Sequence, residues 1–306
     1  MTHPLEGVAA LPHLGVIRAQ GEDAASFLHG QLTQDLLLLP PGQARLAAYC
    51  SPKGRMLASF VAWPLAPQDI VLVLHRDLLA ATLKRLSLFV LRAKVKLTDA
   101  TSDFTLRGLA GDAARLACGG VGPAAWARTT AGQAHCVGLY PADGRDRVLW
   151  LAPAGTDAPA GASLDPLLWQ WGEVRSGVAS ISASVADAFV PQMLNYESVG
   201  GVSFKKGCYP GQEVVARSQF RGTLKRRAVL AHAATELGAG LEVFHSDDPD
   251  QPCGLVAQAA PAPGGGWDAI VSLQTSAMEA GTLTARAPDG PSLQLLPLPY
   301  PLLADI

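Results

Sequence analysis

Residues 189–222 read FVPQMLNYESVGGVSFKKGCYPGQEVVARSQFRG, and this stretch says more about the fold than any other part of the chain. Within it, Gly207 and Gly211 stand on either side of a Cys-Tyr-Pro segment that begins at Cys208. Two glycines around a proline are typical of a tight turn, where the backbone carries little bulk. We therefore expect the Cys208 thiol to be displayed on a turn. The alternative is a small apolar side chain buried within it.

The residues around this turn are strongly basic. Lys205 and Lys206 directly precede it, and a nearby ammonium group lowers the pKa of a thiol. Because the net charge of the whole chain is only -2, a local basic cluster indicates an acidic ligand or partner segment, unless it is a solvated surface at a domain junction. Seven of the 24 Lys and Arg residues lie in this cluster, opposed by the single acid Glu213: Lys205, Lys206, Arg217, Arg221, Lys225, Arg226 and Arg227.

Length and composition limit the class of protein. A chain of 306 residues exceeds the usual span of one hydrophobic core, so two or three domains are expected. The five cysteines show no short paired spacing, which argues against a disulfide framework or a zinc ribbon and favours a reducing compartment. The histidines show no metal-binding spacing.

The chain starts without a signal pattern, and its apolar runs fall short of the ~20 residues of a membrane span. We therefore expect a cytoplasmic protein without a membrane segment.

Hydrophobic periodicity predicts an α+β fold with antiparallel sheets. The predicted helices cover the segment between Gly21 and Pro40, residues 77–91, and residues 165–179 with Asp165 as N-cap and Pro166 in the first turn. The predicted strands cover residues 56–63 and 69–75 as a hairpin, then 93–100, 135–140 and 147–152. Beyond residue 226, short apolar pieces between Gly, Pro and Asp turns predict a small β-barrel. Three polar residues at the end of the first helix either bind a ligand or cap the helix: Gln31, Thr33 and Asp35.

The segment from Lys206 to Glu213, KGCYPGQE, resembles the signature K-G-C-Y-x-G-Q-E of the YgfZ family of folate-binding proteins without a break. An eight-residue match that contains Cys, Tyr, Gln and two Gly is specific. The chain is similar to this family over residues 14–230. The further matching segments, in the family's order and spacing, are FLHGQLTQD (27–35), C-x-x-K-G-R (50–55) and the Trp169 to Gly177 helix.

The resemblance implies an α+β fold in a three-domain ring of aminomethyltransferase folate-binding type, with antiparallel-sheet α+β N-terminal domains and a C-terminal β-barrel. It implies a folate-binding domain at residues 1–45 plus 140–222, a ferredoxin-like domain at 46–139 and the barrel at 223–306. Tetrahydrofolate or a derivative is expected in the central opening. The basic segment and nearby aromatic residues fit such an anionic, planar ligand.

The resemblance also implies a site and partners. The expected catalytic residues are Cys208, Lys206 and Tyr209. Because a [4Fe–4S] cluster generally needs four thiolates, one cysteine is expected to make only a transient contact with a cluster, a sulfur species or a client protein. No metal ligand is expected. The expected partners are folate and iron–sulfur client proteins such as tRNA-modifying radical enzymes. The expected cofactor-binding residues are Trp169, Glu173, Tyr196, Lys205, Gln212, Glu213, Arg217 and Arg221.

Two departures from the related patterns bear on the chemistry. Aminomethyltransferases carry an acidic pair in an early strand, where this chain has Leu57 and Ala58, so general acid–base catalysis has no candidate there. In the helix that begins near Trp169, Arg175 replaces the family's usual acid, and the nearest carboxylate is Glu173. Two alternatives to a folate-dependent factor in iron–sulfur maintenance stay open. One is a folate-dependent aminomethyltransferase-like enzyme, and the other is a tRNA-binding module that uses the basic segment.

Overall fold

The computed structural model describes residues 3–220, 224–279 and 281–303. Within these residues the chain forms sixteen β-strands and five α-helices. The elements before residue 160 are β1 (Gly7–Ala10), β2 (Leu14–Gln20), α1 (Ala24–His29), β3 (Arg45–Cys50), β4 (Met56–Ala66), β5 (Asp69–His75), α2 (Arg76–Ser87), β6 (Lys96–Asp99), β7 (Phe104–Ala110), α3 (Asp112–Ala117), β8 (Arg128–Ala131), β9 (Ala134–Ala142) and β10 (Arg145–Pro153). The later elements are α4 (Pro166–Arg175), α5 (Gln212–Phe220), β11 (Arg226–Ala233), β12 (Glu242–His245), β13 (Asp248–Pro261), β14 (Trp267–Gln274), β15 (Leu283–Ala285) and β16 (Ser292–Leu296).

The first sheet has the strand order β3-β4-β5-β2-β6 and is antiparallel throughout. Its β4–β5 hairpin, in which Val61 is paired with Val73, confirms the hairpin predicted from the sequence. Helix α2 packs on this sheet and buries Leu78 and Leu86 against it. Apolar residues recurring at three and four positions produce this buried stripe, as the periodicity predicts.

The second sheet has the order β1-β7-β10-β9-β8 and is also antiparallel. Its two faces bury different clusters. Leu149 of β10 and Val137 of β9 are paired and belong to the main core. The next pair, Trp150 and Cys136, belongs to a smaller apolar cluster beneath α3. Because successive residues of a strand point to opposite faces, this sheet separates two layers of the molecule.

The last six strands close into an antiparallel barrel in the order β11-β14-β13-β12-β15-β16, and β16 returns to β11. This confirms the predicted C-terminal β-barrel. Alternate residues of β14, such as Val271 and Leu273, fill the barrel interior. Ile270, which directly precedes Val271, belongs to the main core instead. The barrel therefore packs its outer face against the rest of the chain.

Helix α4 connects the barrel to the two sheets. Asp165 caps the helix by accepting a hydrogen bond from the Leu167 amide at 2.8 Å, and Pro166 occupies the first turn, as predicted. On the barrel side, Trp171 Nε1 donates a hydrogen bond to the buried Asp268 Oδ2 at 2.7 Å. This helix is therefore fixed at its start by local sequence and along its length by the barrel.

The helix predicted to end before Pro40, with Gln31 and Leu32 at helical spacing, is shorter in the structure. Helix α1 ends at His29, and the following residues form turns. The Thr33 hydroxyl donates a hydrogen bond to Gly201 O at 2.7 Å and accepts one from the Ala48 amide at 2.8 Å. Side-chain to backbone hydrogen bonds of this kind compete with helix formation. Long-range partners, absent from any local pattern, therefore end the helix early.

The predicted domain boundaries stay predictions. The first sheet takes β2 from before residue 45 and β4 to β6 from after it, while the second sheet combines β1 with strands beyond residue 103.

Among residues 3–220, 224–279 and 281–303, no helix has both the length and the apolar character needed to cross a membrane.

Gly108 on β7 lets the Trp169 ring of α4 lie directly against the strand, since a Cβ at this position would be 2.4 Å from the ring. We expect Gly108→Ala to lower the free energy of unfolding by about 1–3 kcal/mol, because the added methyl group overpacks the core. Denaturant unfolding followed by tryptophan fluorescence measures this change.

Gly264→Ala is the matched control, because a Cβ at Gly264 would meet nothing within 4 Å. Its free energy of unfolding should stay within ~0.5 kcal/mol of the wild type. An equal loss in both variants would contradict the role assigned to the Gly108 contact.

Candidate functional site

Cys208 lies on an exposed turn, as its glycine-flanked sequence predicts. Cys208 itself is exposed, whereas Lys206 and Tyr209 on either side are buried. The turn packs on a neighbouring turn: a Cβ on Gly211, whose φ is +79°, would be 2.4 Å from Ser51 O. Glycine alone accepts both this φ and this close approach without strain. The backbone therefore holds the turn in place and leaves the sulfur available to a partner.

Lys206 anchors the turn from its buried side. Its Nζ donates hydrogen bonds to His29 O at 2.6 Å, Leu32 O at 2.9 Å and Gly207 O at 3.2 Å. The same Nζ lies 4.5 Å from the centre of the Tyr209 ring. An ammonium group over an aromatic face is attracted by the negative charge of that face. The bonds to His29 and Leu32 join the motif turn to the end of helix α1 and the residues just after it.

The two consecutive lysines of the motif have different surroundings. Burial lowers the pKa of Lys206 to about 8, while the nearby charges of Asp35 and Cys208 act in the opposite direction. Lys205 is exposed to solvent. Lys206 is therefore a structural cation next to the thiol, and Lys205 is the lysine that an external partner can reach.

A cavity of about 640 Å³, counted with its opening, lies between the two sheets and helix α4. Its walls are mostly apolar and include Phe60, Val73 and Leu149. A largely apolar cavity with a few polar groups is typical of small-molecule sites. The charged and hydroxyl side chains that line it are Ser59, Tyr140, Arg147, Glu173, Ser176 and Ser180.

Glu173 is a buried carboxylate on the wall of this cavity. Its Oε1 accepts a hydrogen bond from Trp169 Nε1 at 3.0 Å and lies 3.2 Å from His13 Nε2, and its Oε2 accepts one from Gln258 Nε2 at 3.4 Å. Burial alone would raise the pKa of Glu173, but His13 and then Arg147 bring the pKa below its usual value. The pair with Glu173 raises the pKa of His13, although burial of His13 acts in the opposite direction. Glu173 is therefore a fixed negative charge at the cavity.

Arg147 is a buried cation at the same cavity, with 2% of its surface exposed. Its guanidinium carbon lies 4.4 Å from the centre of the Trp169 ring, and its Nη1 donates to Tyr140 O at 3.4 Å. Burial lowers the pKa of Arg147 to about 10, against the charge of Glu173. In the part of the chain that the structure describes, its buried Nε has no hydrogen-bond partner. A ligand with acceptor atoms would satisfy this cation.

The predicted site residues divide between two places. Trp169 and Glu173 line the cavity. Tyr196 lies behind the cavity wall, where burial raises the pKa of its hydroxyl and the hydroxyl donates to the lining residue Ala179 O at 2.6 Å. Arg221 lies outside the described residues. The predicted residues that belong to the motif turn or to helix α5, and not to the described cavity lining, are Lys205, Lys206, Cys208, Tyr209, Gln212, Glu213 and Arg217.

Glu173, and not residue 175, provides the carboxylate at the cavity. Arg175 extends away from the cavity toward the barrel, with Nη2 3.2 Å from Asp143 Oδ1 and Nη1 3.7 Å from Asp268 Oδ2. Two positions on a helix differ by about 200° around its axis, so residues 173 and 175 face opposite sides. An acid at position 175 would face away from the cavity, so Arg175 leaves the negative charge of Glu173 at the cavity unchanged.

Sequence reasoning alone misses His13 and Arg147. Arg147 has one signal, since it is a lone charged residue in the otherwise apolar segment RVLWLA. Such a residue at a core-facing strand position needs a buried partner or a ligand. His13 lies in a short connection between β1 and β2 and has no periodic pattern around it.

The basic segment is only partly available at the surface. Lys206 and Arg227 are buried, and Arg227 forms an ion pair with Glu197. Arg226 is half-buried and donates a hydrogen bond to Cys253 O at 3.0 Å. The exposed cations of this segment within the described ranges are Lys205, Arg217 and Lys225. The surface charge is therefore smaller than the count of basic residues indicates.

Comparison with known proteins gives curated relatives but no matching family model. A protein named tRNA-modifying protein YgfZ from Edwardsiella ictaluri is 31% identical over 306 residues, which cover 93% of this chain and 89% of that protein. The protein of the same name from Vibrio vulnificus is 30% identical over 253 residues, which cover 78% and 75%. An uncharacterized protein from Haemophilus influenzae is 29% identical over 239 residues, which cover 76% and 78%.

Among solved structures, the glycine cleavage system aminomethyltransferase T from Bartonella henselae has a similar fold. The two structures superpose with a TM-score of 0.69, covering 99% of this chain and 88% of that chain, at 16% sequence identity. Similarity at this level of identity shows the fold alone. It confirms the predicted α+β fold of aminomethyltransferase type.

We expect Lys206→Met to lower the free energy of unfolding by about 2 kcal/mol, because the buried carbonyl oxygens of His29 and Leu32 lose a charged donor. Denaturant unfolding at neutral pH measures the loss. The usual pKa of 10.5 falls to about 8 in the folded chain, so the unfolded chain binds more protons between these values. The stability difference between wild type and variant should therefore grow as the pH rises through this window.

Lys205→Met is the matched control, since Lys205 is exposed and adjacent in sequence. We expect it to change the free energy of unfolding by less than ~0.5 kcal/mol. Similar losses in the two variants would show that Lys206 does not anchor the turn.

Proposed function

Because this chain belongs to the YgfZ family, we propose that it is a folate-binding protein that acts through Cys208 in the assembly or repair of iron–sulfur enzymes, including tRNA-modifying ones. The observation that carries the proposal is the exposed Cys208 thiol on a turn whose neighbour Lys206 is buried and hydrogen bonded. Two of the curated relatives named above, from Edwardsiella ictaluri and Vibrio vulnificus, are described as tRNA-modifying proteins. A role in support of tRNA-modifying enzymes agrees with that description.

The arrangement of the cysteines supports a transient contact rather than a resident cluster. All five cysteines are free, and Cys208 is the one classed as exposed. Cys50 and Cys253 are buried in separate apolar clusters. A cluster held by the protein alone would need several thiolates close together. Cys208 is therefore suited to contact a cluster, a sulfur species or a client protein that supplies the other ligands, in the reducing environment of the cytoplasm.

The cavity between the sheets supports the folate part of the proposal. A folate carries a planar, polar-edged pterin ring, and when bound it supplies one-carbon or redox chemistry. Apolar walls fit the ring faces, while Glu173 and Arg147 provide an acceptor and a donor for its edges. Among the described residues, no group accepts a hydrogen bond from Arg147 Nε, and this favours a ligand with several hydrogen-bond acceptors.

The alternative of an aminomethyltransferase-like enzyme receives less support. Leu57 and Ala58 occupy the strand where the transferases carry acids, and neither side chain moves a proton. The carboxylate on the described cavity lining is Glu173, which already accepts hydrogen bonds from Trp169 and Gln258. We therefore assign Glu173 to ligand binding and orientation. Direct tRNA binding through the exposed Lys205, Arg217 and Lys225 is the remaining alternative.

We expect Arg147→Met to weaken tetrahydrofolate binding about 10-fold or more, because the cavity loses its buried charged donor. Replacing a buried cation with an apolar residue of similar length is compatible with folding. Isothermal titration calorimetry with tetrahydrofolate measures the dissociation constant. The matched control is Arg145→Met, since Arg145 lies on the same strand and outside the described cavity lining. An unchanged dissociation constant for Arg147→Met would place the folate elsewhere.

We expect Cys208→Ser to abolish rescue of iron–sulfur enzyme activity in a bacterial strain that lacks its own member of the family. The variant should fold normally, because an exposed side chain is exchanged, with a stability change within ~0.5 kcal/mol. The readouts are the activity of an iron–sulfur tRNA-modifying enzyme and the thermal unfolding of the purified variant.

Cys118→Ser serves as the matched cysteine control and should rescue fully. Full rescue by Cys208→Ser would remove the thiol from the proposed function. RNA affinity that falls steeply with salt and is lost on neutralising Lys205, Arg217 and Lys225 would favour the tRNA-binding alternative. Turnover of an aminomethyl donor with tetrahydrofolate would favour the transferase.

A further inference from the structure

Two other cysteines lie close together at the second sheet, one on a strand and one at the end of helix α3, on the side opposite the cavity. Cys136 belongs to β9 and is buried in the apolar cluster beneath α3. Cys118 directly follows α3, packs against the same cluster and is half-exposed. The cavity residue Leu149 and the adjacent Trp150, which is paired with Cys136, point to opposite faces of the sheet. The two thiols are therefore separate from the candidate folate site.

Thr129 shows how close the two cysteines lie. Thr129 of β8 is paired with Cys136 of β9, so their side chains share one face of the sheet. The Thr129 Oγ1 lies 3.8 Å from the Cys118 Sγ. Cys118 therefore approaches the sheet at the position of Cys136, although seventeen residues separate them along the chain.

The two thiols also interact with each other, and this makes them chemically unequal. The contact with Cys136 lowers the pKa of Cys118 to about 7, although partial burial acts in the opposite direction. The same contact and burial raise the pKa of Cys136. Cys118 is therefore the thiol that ionises first, and thiolate character makes it the nucleophile of the pair.

Cys118 is also open to attack from solvent. Gly119 and Gly120 follow it with φ values of +80° and +92°. A Cβ on either glycine would meet nothing within 4 Å. A small reagent can therefore approach the Cys118 sulfur, while Cys136 behind it is protected.

We propose that Cys118 and Cys136 form a modification site, a dithiol that a low-molecular-weight disulfide such as oxidised glutathione converts into an intramolecular disulfide. The Cys118 thiolate attacks one glutathione sulfur, the S–S bond of the reagent breaks, and one glutathione thiolate leaves. Cys136 then gives its proton to water and attacks the Cys118 sulfur, which releases the second glutathione thiolate. Two protein thiols are oxidised, one reagent disulfide is reduced, and the two protons end on the two glutathione molecules.

The other cysteines provide internal references for this reaction. Cys50 and Cys253 are buried in other apolar clusters and should stay reduced in the folded protein. Exposed Cys208 should form a mixed disulfide with glutathione. Cys118 and Cys136 should instead form a disulfide with each other and release the glutathione.

The experiment treats the folded full-length protein with oxidised glutathione, blocks the remaining thiols and digests it with trypsin. Cleavage after Arg115, Arg128 and Arg145 separates Cys118 from Cys136, in peptides 116–128 and 129–145. We expect mass spectrometry to find these two peptides joined by a disulfide. A reducing agent should separate them again.

Two variants make the result decisive. In Cys136→Ser the reaction should stop at a glutathione adduct on Cys118, at a level about 10-fold above that of the wild type, because the resolving thiol is missing. In Cys118→Ser, Cys136 should stay reduced, because it is buried. A wild-type protein in which Cys118 keeps its glutathione, or stays reduced while Cys208 reacts, would overturn the proposal.

Discussion

The arrangement around the candidate site depends on one buried ammonium group. Lys206 Nζ ties the motif turn to the carbonyls of His29 and Leu32, which are 177 and 174 residues distant in the chain. A buried charge is costly unless hydrogen bonds satisfy it, so the turn and the end of helix α1 fix each other. The result is a backbone turn, held from its buried side, that places Cys208 in solvent.

A second buried charge, the carboxylate of Glu173, contacts groups from several parts of the molecule. Glu173 of α4 meets His13 from the connection before β2, Arg147 from the second sheet and Gln258 from the barrel. Each of these groups comes from a different part of the chain. Arg147 lines the cavity with Glu173, while His13 and Gln258 line a second pocket on the other side of Glu173. The carboxylate therefore fixes the relative position of these elements and gives the cavity its polar end.

The structure separates three chemical environments that the cysteines and the cavity create. Cys208 is exposed beside a structural lysine, the cavity is recessed and mostly apolar, and Cys118 with Cys136 lies on the far face of the second sheet. A ligand in the cavity and a partner at Cys208 can therefore be recognised by different forces. Apolar contacts and buried charges act on a ligand in the cavity, whereas exposed charges and the sulfur act on a partner at Cys208.

The sequence by itself determined features that depend on near neighbours: the glycine-flanked turn at Cys208, the β4–β5 hairpin, the start of α4 at Asp165 and the strands of the barrel. Turn residues, helix caps and alternating apolar residues act within a few positions, so a local pattern suffices for them. Only the tertiary structure decided which lysine of the pair is buried, where α1 ends and which charges meet at the cavity. These features depend on contacts between residues far apart in the chain, such as His13 and Glu173, which are 160 residues apart. No local sequence pattern encodes such a contact.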